Sequence, residues 1–352
     1  MSETQPQEIK KTRVAINGFG RIGRAFFKLA FERPELEIVA INDLSDAHNL
    51  GYLLQYDSAQ GYTDYHIDYA EDGSSLTIDE QKVMFLQQRD PAQLPWKDMN
   101  IDIVVESTGF FTDYNDAKMH LDAGAKHVVI SAPAKGEAVD GVSATVLMGV
   151  NDDQLATCSI TSNASCTTNS GSPVMTILSE SIGIEKAMLN TIHGYTATQS
   201  LVDGPDKKDY RRGRAAAQNI IPTTTGAAKA TALALPQLKD KFDGIAMRVP
   251  VVAGSIADIT FIASRDTSVE EINNILKKAA EDERWHNIFT VNEDPIVSSD
   301  IIGSTYASIV DLSFTKVVDG NLVKVLAWYD NEMGYTNSLV EHVVKAGKKF
   351  NS

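Results

Sequence analysis

Apolar positions along this chain follow two different rhythms. Up to about residue 165 they come as short unbroken runs, most of them followed by a helical stretch or a turn. VAI, beginning at Val14, is such a run, and AFFKLAF after it has the length and composition of a helix. EIVAINDL, IDIVVESTG, HVVISAP and ATVLMGV continue the theme, with an amphipathic helix, DYNDAKMHLDAGA, beginning near Asp113. A strand apolar at every position is covered on both faces, and strands alternating with helices predict an open parallel sheet with helices on both sides.

After Cys166 the rhythm changes. PVMTILSESIG reads as a helix, while AMLNTIHGYT, GIAMRVPVV, SIADITFIAS and LVKVLAWYD read as longer strands less regularly separated by helices. That pattern predicts a mixed or antiparallel sheet with helices on one side. SVEEINNILKKAAED is an amphipathic helix with acids early and lysines late, which suits the helix dipole. TNSLVEHVVKAGKKF predicts a last helix. The change of pattern puts a domain boundary near Asn163.

Composition narrows the function. The 352 residues suffice for two ordinary domains, and 43% hydrophobic with 22% charged residues is typical of a soluble globular protein. A net charge of -15 argues against nucleic acid as the main partner, since phosphate backbones require a broad basic surface. It leaves room for a small phosphorylated substrate, which a few converging arginines hold. Two cysteines, Cys158 and Cys166, cannot build a disulfide framework and have no zinc-type spacing with histidines, so no metal is expected. The polar start and the lack of a long apolar run predict no signal peptide and no membrane span. A cytoplasmic protein with about ten disordered leading residues is expected.

The first chemical motif is GFGRIG, with Gly18, Gly20 and Gly23 between a strand and a helix. Asp43 ends the next strand, about 20 residues on, as a dinucleotide-binding βαβ unit requires. The glycines let a pyrophosphate approach the backbone and rest on the free N–H groups of the helix N-terminus. Arg21 adds a cation nearby. A carboxylate at Asp43 accepts from ribose hydroxyls and repels a 2′-phosphate, which favours NAD over NADP. This context weighs against a purely structural glycine turn. IDIVVESTG closes in Ser107, Thr108 and Gly109 at the end of a neighbouring strand.

The second motif is SITSNASCTTNSG, residues 159–171. A free cysteine is usually inert and buried. Cys166, however, lies where a strand ends and a helix begins, and a helix N-terminus lowers a thiol pKa toward neutrality. Ser165 and Thr167 flank it with hydroxyls. His193 in TIHGYTATQ is the best placed histidine to act as its base, and Thr196 and Thr198 follow it as candidate ligand contacts. His48, His66, His127, His286 and His342 lack such company and are read as surface or structural. TTTGAA, residues 223–228, offers hydroxyls and N–H groups at a helix start, a second anion site. Arg248 sits inside an apolar strand, where a cation needs a partner and an incoming phosphate serves. Arg211, Arg212 and Arg214 form a further basic cluster, for which a solvated loop is a competing reading.

Together INGFGRIGR, INDL, ESTGFF, ISAPAK, SNASCTTN, HGYTATQ, RAAAQNIIPTTTGAAKA, MRVP and WYDNEMGY resemble the phosphorylating, NAD-dependent glyceraldehyde-3-phosphate dehydrogenases, from about Thr12 to Phe350. The resemblance implies oxidation of D-glyceraldehyde 3-phosphate to 1,3-bisphosphoglycerate through a thiohemiacetal and a thioester on Cys166, with His193 as base. It implies that Ser165, Thr167, Thr225 and Gly226 hold inorganic phosphate. Thr196, Thr198 and Arg248 would bind the substrate phosphate, with Arg212 close to both. Gly18, Gly20, Arg21, Ile22, Gly23, Asp43, Arg89, Thr108, Ser131 and Asn331 would contact NAD, and Tyr335 would border the nicotinamide.

The family fold implied is α/β: a Rossmann-type doubly wound parallel sheet plus an α+β catalytic domain with a mostly antiparallel sheet. The expected division is a tail over 1–11, an NAD-binding domain over 12–164, a catalytic domain over 165–331, and a C-terminal helix over 332–352 returning to the NAD-binding domain. A homotetramer is implied as well. Departures from the family pattern are Ser170 where a second cysteine is usual, Gly194-Tyr195 for Ser-Tyr, and Met333 for Trp or Thr. Erythrose-4-phosphate dehydrogenase is an alternative, similar in the first half but lacking a TTTGAA-like phosphate site. Semialdehyde dehydrogenases and a non-catalytic binding protein on the same scaffold fit less well, because Asp43 and every candidate catalytic residue are present.

Overall fold

The computed structural model describes residues 10–351. Most of the tail expected to be disordered, residues 1–9, and Ser352 lie outside them. Lys10 is exposed, and its Nζ donates to the Phe350 carbonyl at 2.6 Å.

Nine strands form the first sheet, in the order Ser143–Thr145, Ile160–Ser162, His127–Ile130, Ile103–Glu106, Thr12–Asn17, Leu36–Asn42, Gln81–Leu86, Ser75–Ile78 and Ile67–Tyr69. The first seven run parallel, and the last two add an antiparallel edge. The unbroken apolar runs have their cause here. Successive residues of a strand point to opposite faces. Val14 and Ile16 pack with Phe26 and Phe27 of the helix Arg21–Phe31. Ala15 and Val104 join Trp96 and Ala125 in a separate cluster. Both faces are covered, so every position is apolar.

The second sheet has seven strands, in the order Ile221–Thr224, Phe242–Val249, Ile184–Gly194, Ser255–Ala263, Leu322–Tyr329, Ser308–Val318 and Phe289–Asn292. Four of its six pairings are antiparallel, and Ile184–Gly194 runs parallel to Phe242–Val249. Ser255–Ala263 alternates strictly between buried and half-buried residues, the mark of a sheet with one face on a core. Its core includes Val174 and Leu178 of the helix Cys166–Ser181 and Ile272 and Leu276 of the helix Val269–Ala280.

The last helix, Met333–Asn351, places Leu339 and Val343 in the core of the first sheet. Gly347 lets it approach closely: a Cβ there would stand 2.2 Å from Thr12 Oγ1. The chain passes from the first sheet to the second through one short turn. Ile160–Ser162 ends, Ala164 takes a left-handed conformation at φ 54°, and Cys166 opens the next helix. The thiol therefore stands at the carboxyl end of a parallel strand, where open α/β sheets bind ligands.

Candidate active site

A cleft of about 600 Å³ opens beside the glycine turn, lined by Gly18, Gly20, Asp43, Arg89, Thr108 and Phe110 among others. Gly18 has φ 95°, and a Cβ there would meet Thr108 N at 2.6 Å. A Cβ on Gly23 would lie 2.2 Å from the Gly18 carbonyl, so helix and strand meet only without side chains. At Gly20 the space is open. The first bond within the helix runs from Arg24 N to Gly20 O, so the N–H groups of Arg21, Ile22 and Gly23 precede the helical ladder. Among the described residues no side chain caps this end. Such an N-terminus receives a pyrophosphate.

Asp43 is half-buried at the cleft, where its Oδ2 accepts from Phe19 N at 2.7 Å and its Oδ1 from Ser45 N at 2.8 Å. Arg21 is turned away from a simple phosphate role. Its guanidinium donates to Glu332 and, at 3.0 Å, to Asp57, and the Glu332 hydrogen bond drives its pKa further up. What Arg21 offers an anion is its backbone N–H. Elsewhere, Thr108 N donates to Glu106 Oε1 at 2.8 Å. Ser131 Oγ lies 3.1 Å from the Tyr335 hydroxyl, and Asn331 Oδ1 accepts from Gly254 N and Ser255 Oγ, each at 3.1 Å.

Cys166 is the first residue of its helix, and Ser165 is the N-cap, its Oγ accepting from Thr168 N at 3.1 Å. Cys166 Sγ lies 3.3 Å from His193 Nε2. His193 is the penultimate residue of Ile184–Gly194 and 2% exposed. Arg248 is its partner in the parallel pairing of the two strands. Arg248 Nη1 approaches His193 Nδ1 at 2.5 Å and the Gly194 carbonyl at 3.2 Å. The same Nδ1 is 2.6 Å from that carbonyl. Among the described residues Arg248 Nε is buried and has no hydrogen-bond partner, which makes this guanidinium a candidate for holding an anion.

The electrostatics differ from the expectation for a thiol on a helix N-terminus. Burial pushes the Cys166 pKa up, and the nearby Arg248 charge and the Thr167 hydrogen bonds oppose it only in part. Burial and then Arg248 push His193 down to about 3, so its imidazole is neutral. The His193 imidazole rests neutral, and burial works against ionisation of the thiol. Desolvation is the largest influence on the thiol, and no local motif around Cys166 encodes that burial.

The remaining phosphate candidates divide. Thr196 and Thr198 share a hydrogen bond of 2.8 Å in the loop after His193. In the arginine cluster, Arg211 pairs with Asp209 and Arg214 with Asp203, the solvated-loop reading. Arg212 has no side-chain hydrogen bond or ion pair among the described residues, and its charge reaches Arg248. Thr225 Oγ1 accepts from Ala227 N at 3.2 Å, and Gly226 caps the helix Ala227–Ala234, which packs on the Cys166 helix. The Thr167 hydroxyl is buried, 2.8 Å from Tyr329 OH and within hydrogen-bonding reach of the Cys166 sulfur.

Tyr329 is a site residue that sequence reasoning missed. Its hydroxyl joins Thr167 and Thr191, the latter at 2.7 Å, and its ring meets His193 edge-on at 5.9 Å. The only signal was a polar-tipped aromatic closing the apolar run LVKVLAWYD.

Comparison with known proteins points the same way over most of the chain. Residues 12–114 match the family model for the NAD binding domain of glyceraldehyde 3-phosphate dehydrogenase, and residues 165–331 match that for its C-terminal domain. The glyceraldehyde-3-phosphate dehydrogenase of Streptomyces coelicolor is 49% identical over 341 residues, covering 96% of this chain and 99% of the relative. That of Thermotoga maritima is 51% identical over 332 residues, covering 94% and 97%. Glyceraldehyde-3-phosphate dehydrogenase 1 of Bacillus subtilis is 47% identical over 339 residues, covering 96% and 98%. A nucleotide cleft, a thiol against an imidazole and two matching family models lead to one conclusion: this chain belongs to the glyceraldehyde-3-phosphate dehydrogenase family and is an NAD-dependent oxidoreductase.

Proposed function

We propose that this chain oxidises D-glyceraldehyde 3-phosphate to 1,3-bisphosphoglycerate with NAD and inorganic phosphate, and that Cys166 and His193 carry the chemistry. The observation that supports this most is the 3.3 Å contact of Cys166 Sγ with His193 Nε2, backed by Arg248 in register. NAD fits the glycine turn, with the N–H groups of Arg21 and Ile22 toward its pyrophosphate and Asp43 toward a ribose. Arg89, Thr108, Ser131, Asn331 and Tyr335 complete that reading. When bound, NAD supplies a hydride acceptor.

The chain's own residues do the rest. His193 Nε2 takes the thiol proton as Sγ bonds to the aldehyde carbon, and passes a proton to the new oxyanion to complete a thiohemiacetal. It then removes the hydroxyl proton as hydride departs, which leaves a thioester on Cys166. Phosphate attacks the thioester carbon and the sulfur leaves. Backbone N–H of Cys166 and the His193 ring steady the negative oxygen at each stage.

Arg248 gives this sequence its start. An arginine only donates, and in this arrangement Nη1 faces His193 Nδ1. A base at Nε2 needs its proton on Nδ1, donated to the Gly194 carbonyl. A substrate phosphate that draws Arg248 and Arg212 toward itself releases Nδ1 for that proton. Thr196 and Thr198 lie beyond His193 as further donors to the same phosphate. Ser165, Thr167, Thr225 and Gly226 are the groups read as holding the attacking phosphate.

The same reading divides the chain near Ala164 and places it in the cytoplasm as a homotetramer. Leu201, Val202, Tyr210 and Ile220 are exposed on one long loop, apolar surface that a neighbouring copy would cover. Among the described residues no helix is long and apolar enough to cross a membrane.

The test follows NADH formation at 340 nm across several phosphorylated aldehydes, with and without inorganic phosphate. Sustained turnover on glyceraldehyde 3-phosphate that requires phosphate is expected. Equal turnover without phosphate, or a preference for a four-carbon aldose phosphate, overturns the reading.

A further inference from the structure

One row of buried polar groups plays no part in the chemistry just described. It starts at Lys349 near the C-terminus, whose Nζ lies 3.0 Å from His127 Nδ1. His127 Nε2 lies 2.9 Å from Thr161 Oγ1, and Thr161 Oγ1 lies 2.8 Å from His342 Nε2. His342 Nδ1 is 3.1 Å from Asn163 Oδ1. Asn163 Nδ2 donates to Ser338 Oγ at 3.2 Å, and Ser338 Oγ donates to Asn169 Oδ1 at 2.6 Å. Asn169 Nδ2 then donates to two carbonyls, Asn163 O at 2.7 Å and Ser165 O at 3.0 Å. From His127 to Asn169 every side chain is buried.

All these bonds point one way. An ammonium only donates, so His127 Nδ1 accepts and its Nε2 carries the proton. Thr161 receives that proton's bond and donates its own to His342 Nε2, which leaves the proton of His342 on Nδ1, facing an amide oxygen. Each later group also donates forward. Both imidazoles fit the row as neutral rings, and burial holds both pKa values down. Hydrogen bonds aligned head to tail strengthen one another in a dry interior.

The row ends on the turn that carries the nucleophile. Ala164 is left-handed at φ 54°, a conformation that costs energy for any residue with a Cβ. It persists where its surroundings over-determine it. Here all three carbonyls of the turn are taken: Asn163 and Ser165 by Asn169, and Ala164 by the Tyr335 hydroxyl at 3.3 Å. Ser338 and Tyr335 belong to the last helix, one turn apart.

We propose that Ser338 is a positioning residue for Cys166: through Asn169 it ties the last helix to the strained turn and sets the sulfur against His193. The proposal rests on the reading of Cys166 as the nucleophile.

The test compares the parent enzyme, Ser338→Ala and Ser338→Thr. Each is treated with iodoacetamide between pH 6 and 9, and kcat, KM, NAD affinity and melting temperature are measured beside it. Cys158 is buried, so alkylation reads Cys166. In Ser338→Ala the alkylation profile shifts along the pH axis and kcat falls about tenfold to a hundredfold with little change in NAD affinity. Ser338→Thr, which keeps the hydroxyl, restores both. An unchanged alkylation profile and kcat beside a lower melting temperature overturns the proposal and makes the row purely structural. If alkylation of the parent leaves turnover intact, Cys166 is not the nucleophile and both readings fall.

Discussion

His193 and Arg248 are direct neighbours across two parallel strands, and the guanidinium of one reaches the imidazole of the other. The register puts a cation beside the base without any loop to position it. In the proposed reading this cation also binds the substrate phosphate, so binding and proton transfer would share one residue.

Arg248→Ala is therefore expected to act on the phosphorylated substrate selectively. Loss of a charge-assisted hydrogen bond predicts roughly a 10- to 150-fold fall in kcat/KM for glyceraldehyde 3-phosphate. Unphosphorylated glyceraldehyde, a poor substrate at best, should lose far less. Steady-state kinetics on the two aldehydes checks this, and equal losses would place Arg248 outside the phosphate site.

Cys166→Ser keeps the shape of the site and removes the proposed nucleophile. NADH formation should drop by about 10³-fold or more, with the NAD dissociation constant unchanged by titration calorimetry. An enzyme that retains turnover would move the chemistry to another residue.

Asp43 holds two backbone N–H groups as well as facing the cleft. Asp43→Asn can keep much of that hydrogen bonding while removing the charge, and Asp43→Gly removes both. Relative use of NADP over NAD should rise on the order of tenfold or more in either variant, since like charges no longer meet. A ratio that stays fixed in both variants denies Asp43 its role.

His342 links this fold to pH. Burial holds its pKa near 3, against about 6.5 in an unfolded chain. Between these values the unfolded state binds the extra proton, so stability present above pH 6.5 is lost as pH falls toward 3. The slope is about 1.4 kcal/mol per pH unit for one such group. Denaturant melts of His342→Gln at pH 4, 5, 6 and 7 should show a shallower acid slope than the parent. Parallel slopes would mean that His342 is not held neutral.

Much of this was legible in the chain, and the exceptions have causes. The strands around Val14, Ile38 and Val104 announce themselves because both faces are covered. Cys166, His193 and Arg248 stood out as chemistry set in unsuitable places: a thiol at a helix start and a cation in an apolar strand. The antiparallel edge did not. Its hairpin turns at Asp79 and Glu80, both at positive φ, without the glycine that usually marks such a turn. The row from Lys349 to Asn169 joins residues far apart in sequence, and its histidines have no local signature. The thiol's raised pKa depends on burial in the folded chain, which no local motif encodes.

The central claim is that the aldehyde becomes covalently bound to Cys166. Its most direct test mixes the enzyme with NAD and glyceraldehyde 3-phosphate, omits inorganic phosphate, and weighs the acid-quenched protein and its peptides by mass spectrometry. A phosphoglyceroyl adduct on the peptide bearing Cys166, discharged on adding phosphate, is predicted. Finding that peptide unmodified while NADH is released in a burst, or an adduct elsewhere, would contradict the account.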